Sequence, residues 1–277
     1  MDTVDERIKK AFDADREGIR PLLHDPSPKV VMALLANRDL TEDDLWVLAK
    51  RRDLPSDALG AIAARKFTDE GYKVKVALAN NPKTPRRSAL GIIRQMRLRD
   101  LAYLTANRQV PTELRQAAEG MFKEKLPTLP IGIRTTLARL VSEDVVKALL
   151  MDGTYQLTKA CFENPRMKEA VVLWAVNHAM TPAAVIEFIT ANPRWSACYS
   201  VRFALTRNPH TPVGKAVDIV RGLKATDQRY LYNDPAVPVT VKVQIEIELE
   251  KKGQPLSPPS ASGRIIGIPD ETQNGLV

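Results

Sequence analysis

A short corner sequence recurs along the chain and limits what it can fold into. Its clearest copy reads Leu-Ala-Asn-Asn-Pro-Lys-Thr-Pro over residues 78–85. Asn tolerates the left-handed backbone that often ends a helix, and Pro lacks the N–H needed to continue one. We therefore expect Asn81 to be left-handed, Thr84 to cap the next helix, and Pro85 to take its first helical position. Similar corners occur at residues 37–41, 177–182 and 208–212.

The spacing of these corners predicts the architecture. Corners, or other groups of cap and breaker residues, recur at intervals of about 13 to 14 residues, so two helices form a repeat of about 27 to 30 residues. Apolar residues make up 44% of the chain and aromatic residues only 5%, which favours packed helices over a sheet. Because helices this short must stack to bury their faces, we predict an all-α, right-handed α-solenoid of stacked short helices.

Two stretches also carry a resemblance. Residues 25–37 read Asp-Pro-Ser-Pro-Lys-Val-Val-Met-Ala-Leu-Leu-Ala-Asn, and together with residues 78–85 they resemble the bacterial leucine-rich-repeat variant (LRV), a relative of HEAT repeats. The resemblance covers roughly residues 20–240 and is weakest between residues 122 and 158. It implies a solenoid, often with one short 3₁₀-like layer, and most members have no assigned activity. One branch carries a cysteine-rich iron–sulfur segment that is absent here, so no cluster is implied.

The last part of the chain departs from the repeat. Residues 1–252 are predicted to form one solenoid, and the Gly-, Pro- and Ser-rich composition of residues 253–277 predicts a disordered tail. Val239–Glu250 alternates as a strand does, but we predict a helix because a corner precedes it and a lone strand would have no partner. An edge strand is the alternative. Arg264–Pro269 is more apolar than most linkers, so a docking peptide is the alternative to an unstructured end.

Residues suited to catalysis are sparse. The sequence contains no phosphate-binding loop, no nucleophile elbow and no zinc-protease motif. Cys161 and Cys198 are expected to pack inside apolar helices, and His24, His178 and His210 are expected to face water at corners. We therefore predict a protein that is not an enzyme, with no catalytic residue, no metal and no cofactor.

Five aromatic residues could form a binding pocket or could pack in the core. An aromatic pocket is one interpretation of this set, and packing in the core and along helix seams is the one we favour, because Trp46 and Trp174 lie among aliphatic residues at helical positions. The set comprises Trp46, Trp174, Trp195, Tyr199 and Tyr230.

Charge is the one unevenly distributed property. The net charge is +8, and residues 67–140, with 14 basic and 6 acidic residues, carry an excess of the same size. Four arginines are predicted on one helix from Thr84 to Arg97, within a wedge of about 100°. Such a face binds phosphates or an acidic partner, and a merely solvated face is the alternative. The predicted binding residues are Arg86, Arg87, Arg94, Arg97, Arg99, Arg108 and Arg115.

These observations favour a non-catalytic scaffold for protein–protein interaction in the bacterial cytosol. The expected partner is a protein, for which acidic chemistry is the natural complement. The alternative is a HEAT-like nucleic-acid-binding protein, of the kind found in DNA repair, that uses the basic segment 73–125. The N-terminus lacks a signal-peptide pattern and no apolar run has the length of a membrane span, so no membrane association is predicted. No small-molecule substrate is predicted either, because the sequence contains no recognisable catalytic motif.

Overall fold

The structure is a computed structural model that describes residues 2–256. Within this range all regular secondary structure is helical, with nineteen α-helices, one 3₁₀ turn and no strand, which confirms the predicted all-α class. No helix among these residues is both long enough and apolar enough to cross a membrane. The chain divides into two compact units, one ending at Phe188 and the other beginning at Ile189.

The helices are short and most are seven to ten residues long. In the first unit they are α1 (Val4–Asp13), α2 (Arg16–Leu22), α3 (Pro28–Leu34), α4 (Glu42–Lys50), α5 (Ser56–Ala63), α6 (Tyr72–Asn80), α7 (Arg86–Ile93), α8 (Leu98–Ala106), α9 (Thr112–Lys125), the 3₁₀ turn Leu126–Thr128, α10 (Ile131–Ala138), α11 (Glu143–Leu150), α12 (Tyr155–Phe162) and α13 (Glu169–Asn177). The remaining helices are α14 (Ala183–Ala191), α15 (Pro193–Ser196), α16 (Tyr199–Arg207), α17 (Val213–Arg221), α18 (Ala225–Asn233) and α19 (Val239–Lys251).

Helices two apart in the chain pack against each other. In the first unit α4 contacts α6, α6 contacts α8 and α10 contacts α12, which defines an even-numbered row. The odd-numbered row is formed in the same way by α1 with α3, α3 with α5, α7 with α9, and α9 with α11. In the second unit α16 contacts α18 and α17 contacts α19. This alternation is the local pattern that stacked two-helix repeats require, and the solenoid itself stays a prediction.

Buried asparagines link successive helices of a row. The Asn81 side chain donates to the carbonyls of Ala49 (2.9 Å) and Arg51 (2.8 Å) at the end of α4, and its oxygen accepts the N–H of Lys83 (3.1 Å). Asn37 binds the end of α1 in the same way, and Asn164 binds the end of α10. Each side chain therefore closes its own corner and satisfies carbonyls that the preceding helix leaves free.

Three details of the predicted corner are wrong. Asn81 has φ −91° and ψ 118°, so it is extended and not left-handed. Thr84 does not cap α7, because its hydroxyl donates backward to the carbonyl of Leu78 at 2.7 Å. Pro85 is the N-cap of α7 and not its first helical residue. The corner is tightened by side chains that bond to earlier carbonyls, so no residue needs the left-handed region there.

The predicted helix from Thr84 to Arg97 is also wrong. Helix α7 ends at Ile93 with Arg94 as its C-cap, and Arg97 is the N-cap of α8. A turn separates them, in which the N–H groups of Gln95 and Met96 donate to carbonyls at the end of α7. The wedge that was to place four arginines on one helix therefore does not exist.

The end of the described chain confirms one prediction. Val239–Lys251 is helical, as predicted for this alternating segment. Lys252 is the C-cap, Gly253 follows it with φ 66°, and the N–H of Gln254 donates to the carbonyl of Leu249 at 2.9 Å. Leu256 packs against the apolar cluster of the second unit. The rest of the predicted tail, including the candidate docking peptide 264–269, lies outside the described residues.

Candidate functional site

A cavity of about 550 Å³ runs along three helices of the even-numbered row. We refer to it as the α4–α6–α8 groove. It lies within the first unit, and the corners after α4 and α6 complete its walls. Its lining consists of Trp46, Ala49, Lys50, Arg52, Tyr72, Lys73, Val76, Ala77, Asn80, Asn81, Arg97 and Asp100.

Trp46 organises one end of the groove. Its indole is half-buried and packs against the apolar cluster of the first unit. The ammonium group of Lys50 lies 4.2 Å from the ring centroid and that of Lys73 lies 5.7 Å from it. Both distances are within the range of a cation–π interaction. Helix α4 thus supplies a ring that holds two positive charges, one from its own last turn and one from α6.

Tyr72, the first residue of α6, organises the other end. Its hydroxyl donates to the Asp100 carboxylate at 2.8 Å and accepts the backbone N–H of Arg97 at 2.8 Å. The Arg97 guanidinium lies 4.4 Å from the Tyr72 ring centroid. Burial, with the bond to Asp100, raises the pKa of Tyr72 to about 12, so the phenol stays protonated and donates at neutral pH.

The second unit repeats this arrangement. The Tyr199 hydroxyl, at the start of α16, donates to Asp227 and accepts the N–H of Lys224 at 3.0 Å. The Lys224 ammonium lies 5.4 Å from the Tyr199 ring centroid. In both units the tyrosine begins a helix, and its two partners are the N-cap and the third residue of the helix two positions later. The same arrangement of a tyrosine with an N-cap N–H and an aspartate therefore occurs in each unit.

The charge of the groove is predominantly positive. Four cationic side chains line it, all of them exposed, and the only lining carboxylate is that of Asp100. Lys73 is paired with Asp43, outside the lining. Among the described residues, Lys50, Arg52 and Arg97 form no ion pair with a carboxylate. The groove thus presents cations whose charge is not neutralised within the first unit.

The floor of the groove is apolar. Ala49, Val76 and Ala77 line it together with the Trp46 ring. The Asn80 side chain is already bonded, since it donates to the Val76 carbonyl at 2.8 Å and accepts from Asn107 at 2.7 Å. An apolar floor with a cationic rim offers burial to aliphatic groups and ion pairing to anions.

The structure distributes the predicted arginines over several helices. Only Arg97 lines the groove. Arg86 pairs with Glu113 at 2.8 Å, Arg108 lies 3.8 Å from Glu143, and Arg115 bonds to the Val110 carbonyl and the Thr112 hydroxyl. Arg99 lies 5.8 Å from the Tyr103 ring centroid. Arg87 and Arg94 are exposed and make no ion pair to a described residue. A binding role for this set stays a prediction.

The cysteines and histidines do not form a reactive site within the described residues. Burial raises the pKa of the Cys161 thiol to about 12, which leaves it protonated. Cys198 is not inside a helix as expected, because it is the N-cap of α16. His24 and His210 are exposed as predicted, whereas His178 is half-buried with its ring centroid 4.7 Å from that of Trp174. No cluster of described residues has the donors to bind a metal ion.

Sequence reasoning missed most of the groove, although a signal was present. The sequence pattern favours packing for Trp46 and does not single out Lys50, Arg52, Lys73 or Tyr72. Tyr72 and Asp100 are 28 residues apart, and Asn80 and Asn107 are 27 apart, which is about one repeat. Aligning successive repeats would therefore have brought the aromatic and cationic positions of α4, α6 and α8 together.

The chain was compared with protein-family models, curated proteins and solved structures, and none of the three comparisons returned a match. The functional argument therefore depends on the residues of the groove.

Proposed function

We propose that this chain is a non-catalytic helical-repeat protein of the LRV or HEAT-like type, which binds a protein partner along the α4–α6–α8 groove. The observation that carries the proposal is the combination of an apolar floor with a cationic rim that α4, α6 and the start of α8 supply and in which, among the described residues, Lys73 alone is ion-paired. Stacked repeats present extended surfaces of this kind, and their residues are used for packing and recognition. A role in the bacterial cytosol is part of the same proposal.

Nucleic-acid binding is the second candidate, because residues 67–140 carry 14 basic and 6 acidic residues. Cationic surfaces of this kind bind phosphate backbones. The groove supports nucleic-acid binding less well than protein binding, because proteins that bind single-stranded nucleic acid need free aromatic faces on which bases stack. In the groove the faces of Trp46 and Tyr72 are already approached by Lys50 and Arg97.

Site-specific photo-crosslinking tests the proposal. Arg52, which is exposed and lines the groove, is replaced by a photoreactive amino acid, and exposed Gln116 on α9 is replaced in a matched control. We expect position 52 to crosslink a protein that position 116 does not, as identified by mass spectrometry. Crosslinks from position 52 to nucleic acid would favour the second candidate, and no crosslink from it would contradict both.

A further inference from the structure

We propose that the occupant of the α4–α6–α8 groove is an extended acidic segment of a partner protein, with aliphatic side chains between its carboxylates. This inference rests on the proposed function and specifies the chemistry of the partner. It is carried by charge complementarity along the rim and by the apolar character of the floor.

The rim sets the charge of the segment and the spacing of its carboxylates. Lys50 lies on α4, Lys73 on α6, and Arg97 is the N-cap of α8. Lys73 also pairs with Asp43, which a carboxylate of the segment would join or displace. Packed helices lie about 8 to 10 Å apart, and an extended chain rises about 3.3 Å per residue, so one carboxylate about every three residues would meet one cation per helix. A polyproline-like chain places side chains on one face at this interval.

The floor sets the character of the residues between the carboxylates. Val76 and Ala77, which are half-buried, have no side-chain donor for a phosphate or a sugar, but they offer apolar surface for Leu, Ile or Val. Burying such a side chain is favourable because its apolar surface is removed from water. A purely acidic chain or a nucleic-acid backbone would leave this apolar surface exposed to water.

The aromatic rings hold the cations in place. The Lys50 and Lys73 ammonium groups share the Trp46 ring, and Arg97 lies over Tyr72, whose hydroxyl is fixed by Asp100. A base that stacked on the same ring face as one of these cations would have to displace it. A carboxylate can bind the same cations from the open side of the groove without moving them, and such pre-organisation lowers the entropic cost of binding.

Fluorescence anisotropy of labelled peptides on the full chain tests the inference. The probe is a twelve-residue peptide with Glu at every third position and Leu or Val between, and the controls replace Glu by Gln or the aliphatic residues by Ser. A twelve-nucleotide single-stranded oligothymidine is titrated in parallel. We expect the acidic aliphatic peptide to bind most tightly, with an affinity that falls as salt screens the ion pairs.

Two double variants with equal loss of charge locate the site. Lys50→Gln with Lys73→Gln should weaken peptide binding about two- to thirtyfold, as expected for two exposed ion pairs. The double variant Arg86→Gln, Arg87→Gln removes two positive charges outside the groove lining. It should change the dissociation constant of the peptide by less than about twofold. Circular dichroism and thermal melts of both variants establish that each is folded, so a loss of binding is assigned to the groove.

The outcomes separate this inference from the proposed function. Three results would each overturn the inference of an acidic segment. They are equal affinity for the Gln-substituted peptide, higher affinity for the oligonucleotide than for the acidic peptide, and a larger loss of affinity in the Arg86→Gln, Arg87→Gln variant than in the groove variant. If crosslinking from position 52 captures a protein while no acidic peptide binds, the inference fails and the proposed function stands. If neither is observed, both fail.

Discussion

The corner asparagines carry two tasks in one side chain. In Asn81 the oxygen closes the turn by accepting the N–H of Lys83, while the nitrogen donates to two carbonyls of the preceding helix in the row. Asn37 and Asn164 do the same with the N–H groups of Asp39 and Arg166. An unpaired buried carbonyl is costly, so these side chains stabilise the packing of neighbouring helices in a row as well as the shape of the corner.

Replacing Asn81 by Ala should therefore lower the free energy of unfolding by about 2 to 4 kcal/mol, since it leaves buried backbone groups without partners. Asn81 is 1% exposed. Asn177→Ala is the matched control, because that residue is exposed and bonds only within its own helix, to the Leu173 carbonyl. In urea denaturation, the free energy of unfolding of the control should change by no more than about 0.5 kcal/mol. Equal effects at both positions would contradict the role given to the buried side chain.

The sequence predicted where these corners lie but not their conformation. Asn and Pro mark a corner through local preferences, which a single repeat reveals. The partners of Asn81 are the carbonyls of Ala49 and Arg51, which lie 32 and 30 residues earlier in the chain. A side chain bonded to another helix removes the need for a left-handed residue, and no local pattern reports that contact.

At the scale of the element, α19 shows how a strand-like sequence forms a helix. Its apolar residues alternate, but a helix divides them between two faces. Val241, Ile245 and Leu249 are buried, whereas Val239, Val243 and Ile247 are exposed. The buried residues pack with α17 and α18, which is the environment that an isolated strand would lack.

Two isoleucines that are two residues apart test this division. Ile245 is 0% exposed and Ile247 is 41% exposed. Ile245→Ala should lower the free energy of unfolding by about 2 to 5 kcal/mol because it opens a cavity. Ile247→Ala should lower it by less than about 1 kcal/mol. In a strand the two side chains would share a face and their costs would be similar. Comparable losses of stability in thermal or urea unfolding would therefore contradict the helix.

The break between α7 and α8 shows what the sequence did not reveal. Residues 94–97 contain no Gly, Pro or Asn, so the sequence predicts that the helix continues through them. The break depends on distant contacts instead, since the Arg97 N–H donates to the Tyr72 hydroxyl of α6. The same contact places Arg97 in the groove. The error about the helix and the failure to predict the groove therefore have one cause.

On the scale of the whole molecule, repetition was the part most accessible to sequence reasoning. The tyrosine arrangement of Tyr72 recurs at Tyr199, and in each case the backbone N–H that it accepts lies 25 residues later. A recurring contact at a fixed separation is what a repeat sequence predicts. The division into two units was not predicted, because corners of one kind occur on both sides of residue 188.

Truncation tests whether the first unit is independent. A fragment of residues 1–191 keeps α14 complete and should stay helical and melt cooperatively, because a compact unit supplies its own core. A fragment of residues 1–154 lacks α12, which packs on α10, and Asn164, which binds the carbonyls of Ala138 and Val141. It should melt at a lower temperature and tend to aggregate, since an apolar helix face is exposed.

Circular dichroism melts and size-exclusion chromatography of both fragments provide the measurement. A change of 1 kcal/mol in the free energy of unfolding moves the melting temperature by about 2 to 4 °C in a domain of this size. A loss of several kcal/mol is therefore readily measured. If the 1–191 fragment is unfolded while the full chain is stable, the first unit depends on later residues and the predicted single solenoid over residues 1–252 is the better description. If the two fragments melt alike, the contacts of α12 and Asn164 with α10 add little to stability, and the link between neighbouring helices of a row must lie in apolar packing alone.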